Sequence, residues 1–322
     1  MRASFALLGI TLPLWSAPAA AYTAYVTNER DNTVSVIDLD QMKTVKTVPV
    51  GQRPRGITMT RDGGEILVCA SDDDTIQIID PKTLRVTGSL PSGPDPETFA
   101  LHGSGNPLYV SNEDDNLVTI IDVPTQKIVA QIPTGVEPEG MAISPDGKTI
   151  VNTSETTNMA HFFDFDTRKM VASVLVGARP RIAQFRHDGS EVWVSSELGG
   201  TVSVIDPQKH AVTHTIGFDV QGLRAEAIQP VGIRFTPDDA IAFVALGPAN
   251  RVAVIDTKSY KVKQYLLVGQ RVWQMAFTPD GKHLLTTNGL SNDVSVIDVA
   301  ALEVVKSIPV GRLPWGVVVA PK

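Results

Sequence analysis

The side chains best suited to bind a ligand occur at one repeating position along the chain. Successive occurrences are separated by 42 residues, except for one interval of 50 residues. In chain order the position holds Arg55, Glu97, Glu139, Arg181, Val231, Trp273 and Trp315. Three further arginines, Arg53, Arg179 and Arg271, precede it by two residues. Because guanidinium forks match carboxylates and indoles stack on flat rings, this combination could bind a flat aromatic acid, and it is equally compatible with a protein partner.

Residue types that other reactions need are missing or scattered. The chain has one cysteine, Cys69, which excludes a C-x-x-C-H haem site and an intramolecular disulfide. The six histidines are dispersed, and His210 and His214 fall in a turn and a strand, where their spacing builds no metal site. No G-x-S-x-G, phosphate-binding loop or dinucleotide fingerprint occurs. The sequence therefore predicts neither catalytic residues nor metal ligands.

The same period organises the whole chain. Phrases such as YVTNERDNTVSVID and YVSNEDDNLVTIID recur, and each ends in an aspartate. The closing residues are Asp38, Asp80, Asp122, Asp164, Asp206, Asp256 and Asp298. Each carboxylate can accept backbone N–H groups ahead of it and so form a turn. Between these turns, short apolar runs rich in β-branched residues indicate four strands per unit.

Units of this length with four strands are the signature of β-propeller blades. We therefore expect an all-β protein, a seven-bladed β-propeller of four-stranded blades. The chain enters at a second strand, residues 23–28, and ends with a first strand, residues 316–320. The ring is thus expected to close with three N-terminal strands and one C-terminal strand in a single blade. A column of small residues in the second strands predicts close packing between blades: Thr27, Cys69, Ser111, Thr153, Ser195, Ala245 and Thr287.

In a propeller, the loops that enter the first strands share one rim of the central channel with the loops between second and third strands. The predicted ligand- or partner-binding residues of this rim are Arg53, Arg55, Glu97, Glu139, Arg181, Arg271, Trp273 and Trp315. Further carboxylates on the rim are Glu29, Glu113, Glu155 and Glu197. Two interpretations stay open: a binding site, or a self-neutralising set of salt bridges with tryptophans packing the channel. An insertion at residues 217–227 (GFDVQGLRAEA) lies on this rim, and lengthened loops often mark a binding face.

Composition and the first residues limit the location and the partners. The formal net charge of −7 argues against a nucleic-acid partner. Residues 1–21 carry one arginine, an apolar centre and a small-residue end, which predicts a secretory signal peptide cleaved before Tyr22. Pro13 and Pro18 interrupt the apolar run, which disfavours a membrane anchor. We expect a periplasmic mature protein without a membrane span, in which residues 22–322 form one domain.

The phrase YVTN, with NTVSVID and VG-x-x-P-x-G, resembles the YVTN-repeat β-propeller family over residues 22–322. The leader, the seven units and the turns RPRGI and SPDG are most similar to the PQQ-dependent catabolism-associated β-propeller proteins. This resemblance implies a periplasmic protein that accompanies pyrroloquinoline-quinone-dependent alcohol oxidation and an ABC-type export system. It supplies no catalytic residues. The chain departs from the repeat pattern at VNTSETTNMAHFFD and at RVWQ.

Two classes of function follow. The favoured one is a non-enzymatic binding or scaffold protein of a quinoprotein oxidation pathway. Its ligand would be pyrroloquinoline quinone or another aromatic acid, and its partner a quinoprotein dehydrogenase, a cytochrome or ABC export components. The alternative is a lactonase- or lyase-like propeller enzyme, or an electron-transfer subunit resembling quinoprotein dehydrogenase heavy chains. A compact acid–base or metal constellation on the rim would favour an enzyme, whereas separated, paired charges would favour a binder.

Overall fold

The computed structural model describes residues 22–321, in which 28 strands form seven four-stranded antiparallel sheets. The first strands of successive sheets contact one another in a closed circle, so the sheets are the blades of a propeller. This confirms the predicted seven-bladed fold. The predicted signal peptide, residues 1–21, lies outside the described residues and stays a prediction.

Each blade is named here by its order around the ring. Blade 1 contains β28 (Pro314–Pro321), β1 (Tyr22–Asn28), β2 (Thr33–Asp38) and β3 (Lys43–Pro49). Blade 2 contains β4 (Pro54–Met59), β5 (Ile66–Ala70), β6 (Thr75–Asp80) and β7 (Arg85–Pro91). Blade 3 contains β8 (Pro96–Leu101), β9 (Leu108–Asn112), β10 (Leu117–Asp122) and β11 (Lys127–Pro133). Blade 4 contains β12 (Pro138–Ile143), β13 (Thr149–Ser154), β14 (Met159–Asp164) and β15 (Met170–Leu175).

The remaining three blades follow the same order. Blade 5 contains β16 (Pro180–Phe185), β17 (Val192–Ser196), β18 (Thr201–Asp206) and β19 (Ala211–Gly217). Blade 6 contains β20 (Ile233–Phe235), β21 (Ile241–Ala245), β22 (Arg251–Asp256) and β23 (Lys261–Leu267). Blade 7 contains β24 (Val272–Phe277), β25 (His283–Asn288), β26 (Asp293–Asp298) and β27 (Glu303–Pro309). Two short 3-10 turns, Ser71–Asp73 and Ala225–Ala227, interrupt the strand pattern. Within residues 22–321, no helix is long and apolar enough to cross a membrane.

The two ends of the described chain meet in blade 1. Strand β28 pairs antiparallel with β1, with Thr23 opposite Ala320 and Tyr25 opposite Val318. The sheet order is therefore β28-β1-β2-β3, which confirms closure by three N-terminal strands and one C-terminal strand. Closure covers the edge of β1 with β28, and unpaired sheet edges invite aggregation.

The recurring aspartates form the turns that the sequence predicts. Asp38 Oδ1 accepts the backbone N–H groups of Asp40 and Gln41, each at 2.9 Å. The six other closing aspartates also accept N–H groups two or three residues ahead. These turns link the third strand of each blade to the fourth, at the channel end opposite the candidate site.

The column of small residues joins neighbouring blades. The hydroxyl of Thr153 donates to the carbonyl oxygen of Arg181 in the next blade at 2.6 Å, and Thr27 does the same to Arg55 at 2.8 Å. Ser111, Ser195 and Thr287 make the equivalent bonds across their own blade junctions. Such buried hydrogen bonds contribute about 1 kcal/mol each. They hold the first strand of one blade against the second strand of the blade before it, and so fix the position of the rim residues.

Candidate functional site

Two rings of side chains surround one mouth of the channel, called here the upper rim. The inner ring is Arg55, Glu97, Glu139, Arg181, Val231, Trp273 and Trp315. The outer ring lies two residues earlier and is Arg53, Asp95, Glu137, Arg179, Gln229, Arg271 and Leu313. In six blades the outer-ring N–H donates to an Asn or Asp side chain of the preceding blade, as Arg53 does to Asn32 Oδ1 at 3.1 Å. The asparagine of the repeated phrase thus positions the outer ring.

The first charged cluster of the rim is centred on Glu97, which is fully buried. Arg53 Nη1 lies 3.1 Å from Glu97 Oε1, and Arg55 Nη1 bonds Glu97 Oε2. Burial alone would raise the pKa of Glu97, but the charges of Arg55 and Arg53 outweigh it and hold that pKa below its usual value. Glu97 is therefore an ionised, buried carboxylate. Arg55 also faces Glu29 at 3.5 Å.

The second charged cluster surrounds Arg181, whose side chain is 5% exposed. Its Nη2 lies 2.8 Å from Glu139 Oε1, and its Nη1 bonds Glu155 Oε1. Glu197 links this cluster to Arg271, with 2.7 Å between Glu197 Oε1 and Arg271 Nη2. Burial raises the pKa of Glu139 well above its usual value despite Arg181. The structure therefore contains the ion pairs that the salt-bridge interpretation requires.

The two rim tryptophans lie against arginines. The Arg271 guanidinium is 4.3 Å from the ring centroid of Trp273, and that of Arg181 is 5.9 Å away. Arg55 lies 5.8 Å from the centroid of Trp315, which is buried. Such cation–π contacts contribute about 0.5–1 kcal/mol each, and more when desolvated. A stacked aromatic ligand would meet Trp273 beside Arg271, and this arrangement stays a prediction.

A compact group of carboxyls lies next to the first cluster. Asp95, Glu97 and Glu113 each place one oxygen within 4.8 Å of the others, and they are called here the carboxylate centre. Burial raises the pKa of Glu113 to about 8, and the negative charge of Glu97 adds to the effect. Burial and Glu97 also raise the pKa of Asp95 to about 7, in spite of its ion pair with Arg53. Near neutral pH this centre holds protons that it can give or take.

A second group of oxygens shares Glu113. Glu113, Glu137 and Glu155 also lie within 4.8 Å of one another. Carboxylate oxygens are the ligand type that Ca²⁺ and Mg²⁺ take, so these groups could hold a divalent cation. Asp95 and Glu137 were not among the predicted site residues. The sequence contained a signal for both residues, because they occupy the same repeat position as the predicted site residue Arg53.

All eight predicted site residues lie around the upper rim, but in different surroundings. Arg53, Arg55 and Glu97 meet in the first cluster, and Glu139, Arg181 and Arg271 meet in or beside the second. The two tryptophans flank these clusters. The insertion is anchored over blades 5 and 6 by Val220, which lies in their core together with Ile228, the residue that follows the insertion. The binding role of these residues stays a prediction.

The carboxylate centre leads to a prediction for pH-dependent stability. Glu113 and Asp95 bind protons more tightly in the folded chain than in the unfolded chain, so we expect the free energy of unfolding to fall between about pH 5 and about pH 8. Glu113→Gln should flatten this slope in urea denaturation, because it removes one of the two groups. Glu303→Gln, on the exposed outer strand β27, is the matched control and should leave the slope unchanged. A wild-type slope in Glu113→Gln would show that Glu113 titrates normally.

The fold and rim define a seven-bladed β-propeller with an arginine–carboxylate mouth. The chain belongs to the family described as "Lactonase, 7-bladed beta-propeller", whose model matches residues 141–303. A second family model, described as "YNCE-like beta-propeller", matches residues 3–101. No curated protein matches the chain.

Solved structures with the same architecture come from several bacteria. Hydrazine synthase of Kuenenia stuttgartiensis aligns with a TM-score of 0.79 at 20% identity, covering 86% of this chain and 92% of that chain. A functionally unknown protein from Desulfotomaculum acetoxidans aligns with a TM-score of 0.79 at 16% identity, covering 93% and 99%. A putative 6-phosphogluconolactonase from Bacteroides uniformis aligns with a TM-score of 0.78 at 17% identity, covering 94% and 100%. At these identities the likeness shows the fold.

Proposed function

We propose that the protein is a propeller hydrolase that opens lactone rings at the carboxylate centre. The observation that carries the proposal is the compact group of Asp95, Glu97 and Glu113, two of whose members titrate near neutral pH. A compact acid–base group of this kind supports the enzyme alternative. The match to the lactonase family model supports the same class.

The two titrating carboxyls suit two different steps of lactone hydrolysis. Asp95, with a pKa of about 7, is ionised in a large fraction of molecules and takes a proton from the attacking water. The water oxygen bonds to the carbonyl carbon of the lactone, and the bond from that carbon to the ring oxygen breaks. Glu113, with a pKa of about 8, is mostly protonated and gives its proton to the departing ring oxygen. The product is the open hydroxy acid.

The neighbouring arginines support this chemistry. Arg53 and Arg55 keep Glu97 ionised, and burial together with the charge of Glu97 keeps the pKa values of Asp95 and Glu113 high. Arg53 also contacts Asp95 directly, so its guanidinium would stabilise negative charge on a lactone carbonyl oxygen bound beside Asp95. Removing Arg53 would therefore change both the proton affinities and the charge stabilisation.

The test is a lactonase assay on the purified chain with γ- and δ-lactones of sugar acids, followed by proton release. We expect Glu113→Gln and Asp95→Asn each to lower kcat by about 10²–10⁴-fold, the usual contribution of a positioned acid or base. The pH profile of kcat/KM should be bell-shaped, with limbs near the two pKa values. Glu303→Gln is the control and should match the wild type. Absence of turnover on every lactone, or wild-type rates in both variants, would contradict the proposal.

A second candidate function is recognition of a protein partner by the same rim. Three leucines are exposed on rim loops over neighbouring blades: Leu198 at 65%, Leu223 at 39% and Leu290 at 63%. Exposed apolar residues grouped on one face favour a contact surface. Together with the resemblance to PQQ-associated propellers, this supports a periplasmic partner such as a quinoprotein dehydrogenase or cytochrome. Titration of the chain with such purified proteins tests it, and a Leu290→Asp variant that binds like wild type would argue against this surface.

A further inference from the structure

The central channel contains a cavity of about 220 Å³ below the upper rim. Its wall combines apolar side chains, including Phe99, Met141 and Val317, with the polar side chains of Gln184, Arg234, Gln274 and Trp315. A cavity of about 150 Å³ already accommodates benzene, so there is room for a small organic molecule. A second cavity of about 460 Å³ shares part of this wall and continues along the channel towards Arg61 and His102. A ligand can therefore enter without crossing the charged rim.

Arg234 is the distinctive residue of this wall. The equivalent residues of the other six blades are Thr58, Ala100, Ala142, Gln184, Ala276 and Val318, all of them uncharged. The rim arginines Arg53, Arg55 and Arg181 all face carboxylates, whereas Arg234 has no carboxylate within ion-pair distance among residues 22–321. Its Nη1 donates to Gln184 Oε1 at 3.2 Å and to the carbonyl oxygen of Ile233 at 2.7 Å.

The Arg234 guanidinium is partly buried in the cavity wall without a carboxylate partner, which is costly. Burying a charge without a partner is unfavourable, and buried charges in proteins are usually paired. Burial lowers the pKa of Arg234 to about 10, so the group still carries its positive charge near neutral pH. The scaffold does not need this charge, because the other six blades have none there.

Two further hydrogen-bond donors on the same wall lack partners. The Nε2 of Gln274 and the Nε1 of Trp315 are buried and make no hydrogen bond within the described part of the chain. Gln274 is 6% exposed and Trp315 is 2% exposed. Buried polar groups are rarely left unsatisfied, and those that are require an explanation. Arg234, Gln274 and Trp315 belong to the adjacent blades 6, 7 and 1, so the unused donors lie on one side of the cavity.

From this arrangement we propose that the channel cavity binds a small organic carboxylate, whose carboxylate accepts from Arg234 and Gln274 and whose hydrocarbon part packs against Phe99, Met141 and Val317. The guanidinium fork matches a carboxylate, and charge-assisted bonds of this type are the strong ones. The apolar wall favours an organic acid over inorganic phosphate. Phosphate has no hydrocarbon part that could pack against this wall. The site is separate from the carboxylate centre and does not depend on the lactonase proposal.

The test compares acetate, butyrate and inorganic phosphate by calorimetry and thermal unfolding at constant ionic strength. We expect saturable binding of butyrate, tighter than that of acetate by about fourfold per added methylene, and weaker binding of phosphate. Arg234→Gln should abolish butyrate binding, and Gln274→Leu should weaken it by about tenfold, the cost of one hydrogen bond to a charged group. Phosphate binding as tightly as butyrate would replace the organic acid by an inorganic anion and overturn the assignment.

The matched control is Arg85→Gln, which removes the same charge from the exposed outer strand β7. It should bind butyrate like the wild type. Without any anion, Arg234→Gln should melt at a higher temperature than the wild type, because it removes a partly buried charge that faces no carboxylate. Saturating butyrate should remove this difference in melting temperature, because it stabilises only the wild type. Equal thermal shifts in wild type and Arg234→Gln, or no saturable binding of any probe, would refute the proposal.

Discussion

Replacing Arg181 with methionine is expected to lower the free energy of unfolding by about 3–5 kcal/mol, the usual effect of removing one partner from a buried ion pair. Arg181 is enclosed together with Glu139 and Glu155, whose side chains are 1% and 3% exposed. Methionine can fill much of the space of the arginine stem, but it leaves these carboxyls without their cation. Denaturant unfolding of the purified variant measures the loss.

The pH dependence separates lost charge pairing from lost packing. In Arg181→Met the pKa of Glu139, which burial already raises, should rise further in the folded state, so the deficit in stability should shrink as the pH falls. Adding Glu139→Gln should recover part of the deficit, because the two residues contact each other and their effects are not additive. Arg85→Met, at an exposed site, should cost little. A deficit that is the same at every pH and unaffected by Glu139→Gln would mean that Arg181 acts through packing alone.

The fold could be predicted from the sequence because each blade repeats the same local rules. The closing aspartates form their turns within three residues, and the small-residue column makes the same blade-to-blade hydrogen bond at five junctions. These interactions depend on position within one repeat, so counting residues was sufficient. Cys69 is a further example. Its position in the column of small second-strand residues predicted burial, and the residue is fully buried.

The site could be predicted only in part, because its chemistry depends on differences between blades. Repeat counting placed Arg55, Glu97 and Arg181 on one rim, but it gave no distances between side chains from different blades. The close approach of Asp95 to Glu113 joins the outer ring to a loop between second and third strands. Arg234 was not predicted as a site residue. It lies three residues after the inner-ring position, and the equivalent residues of the other blades are uncharged, so no repeating pattern of charge marked this position.

Deletion of residues 314–322 should abolish soluble folding or remove most of the thermal stability, because it opens the ring. Strand β28 is the first strand of blade 1, and without it β1 would expose its inner edge. The junction of blades 7 and 1 would also lose the hydrogen bond from Thr287 Oγ1 to the carbonyl oxygen of Trp315 at 2.6 Å. Within blade 1, the hydrogen bond from Gly316 N to Thr27 Oγ1 at 2.8 Å would be lost as well. In a repeat protein each unit is stabilised by its neighbours, so an open ring weakens blades 7 and 2 as well.

The role of β28 can be tested further by supplying the deleted strand as a separate peptide. A separate peptide of residues 314–322, co-expressed with the truncated chain, should restore soluble protein, because the missing strand pairs through backbone hydrogen bonds that need no covalent link. A peptide in which Val317 is replaced by aspartate should rescue poorly, since Val317 is 6% exposed and packs in the core between blades 1 and 7. If the truncated chain melts at the wild-type temperature without any peptide, closure by β28 contributes nothing to stability. The propeller would then be held by the contacts among its other six blades.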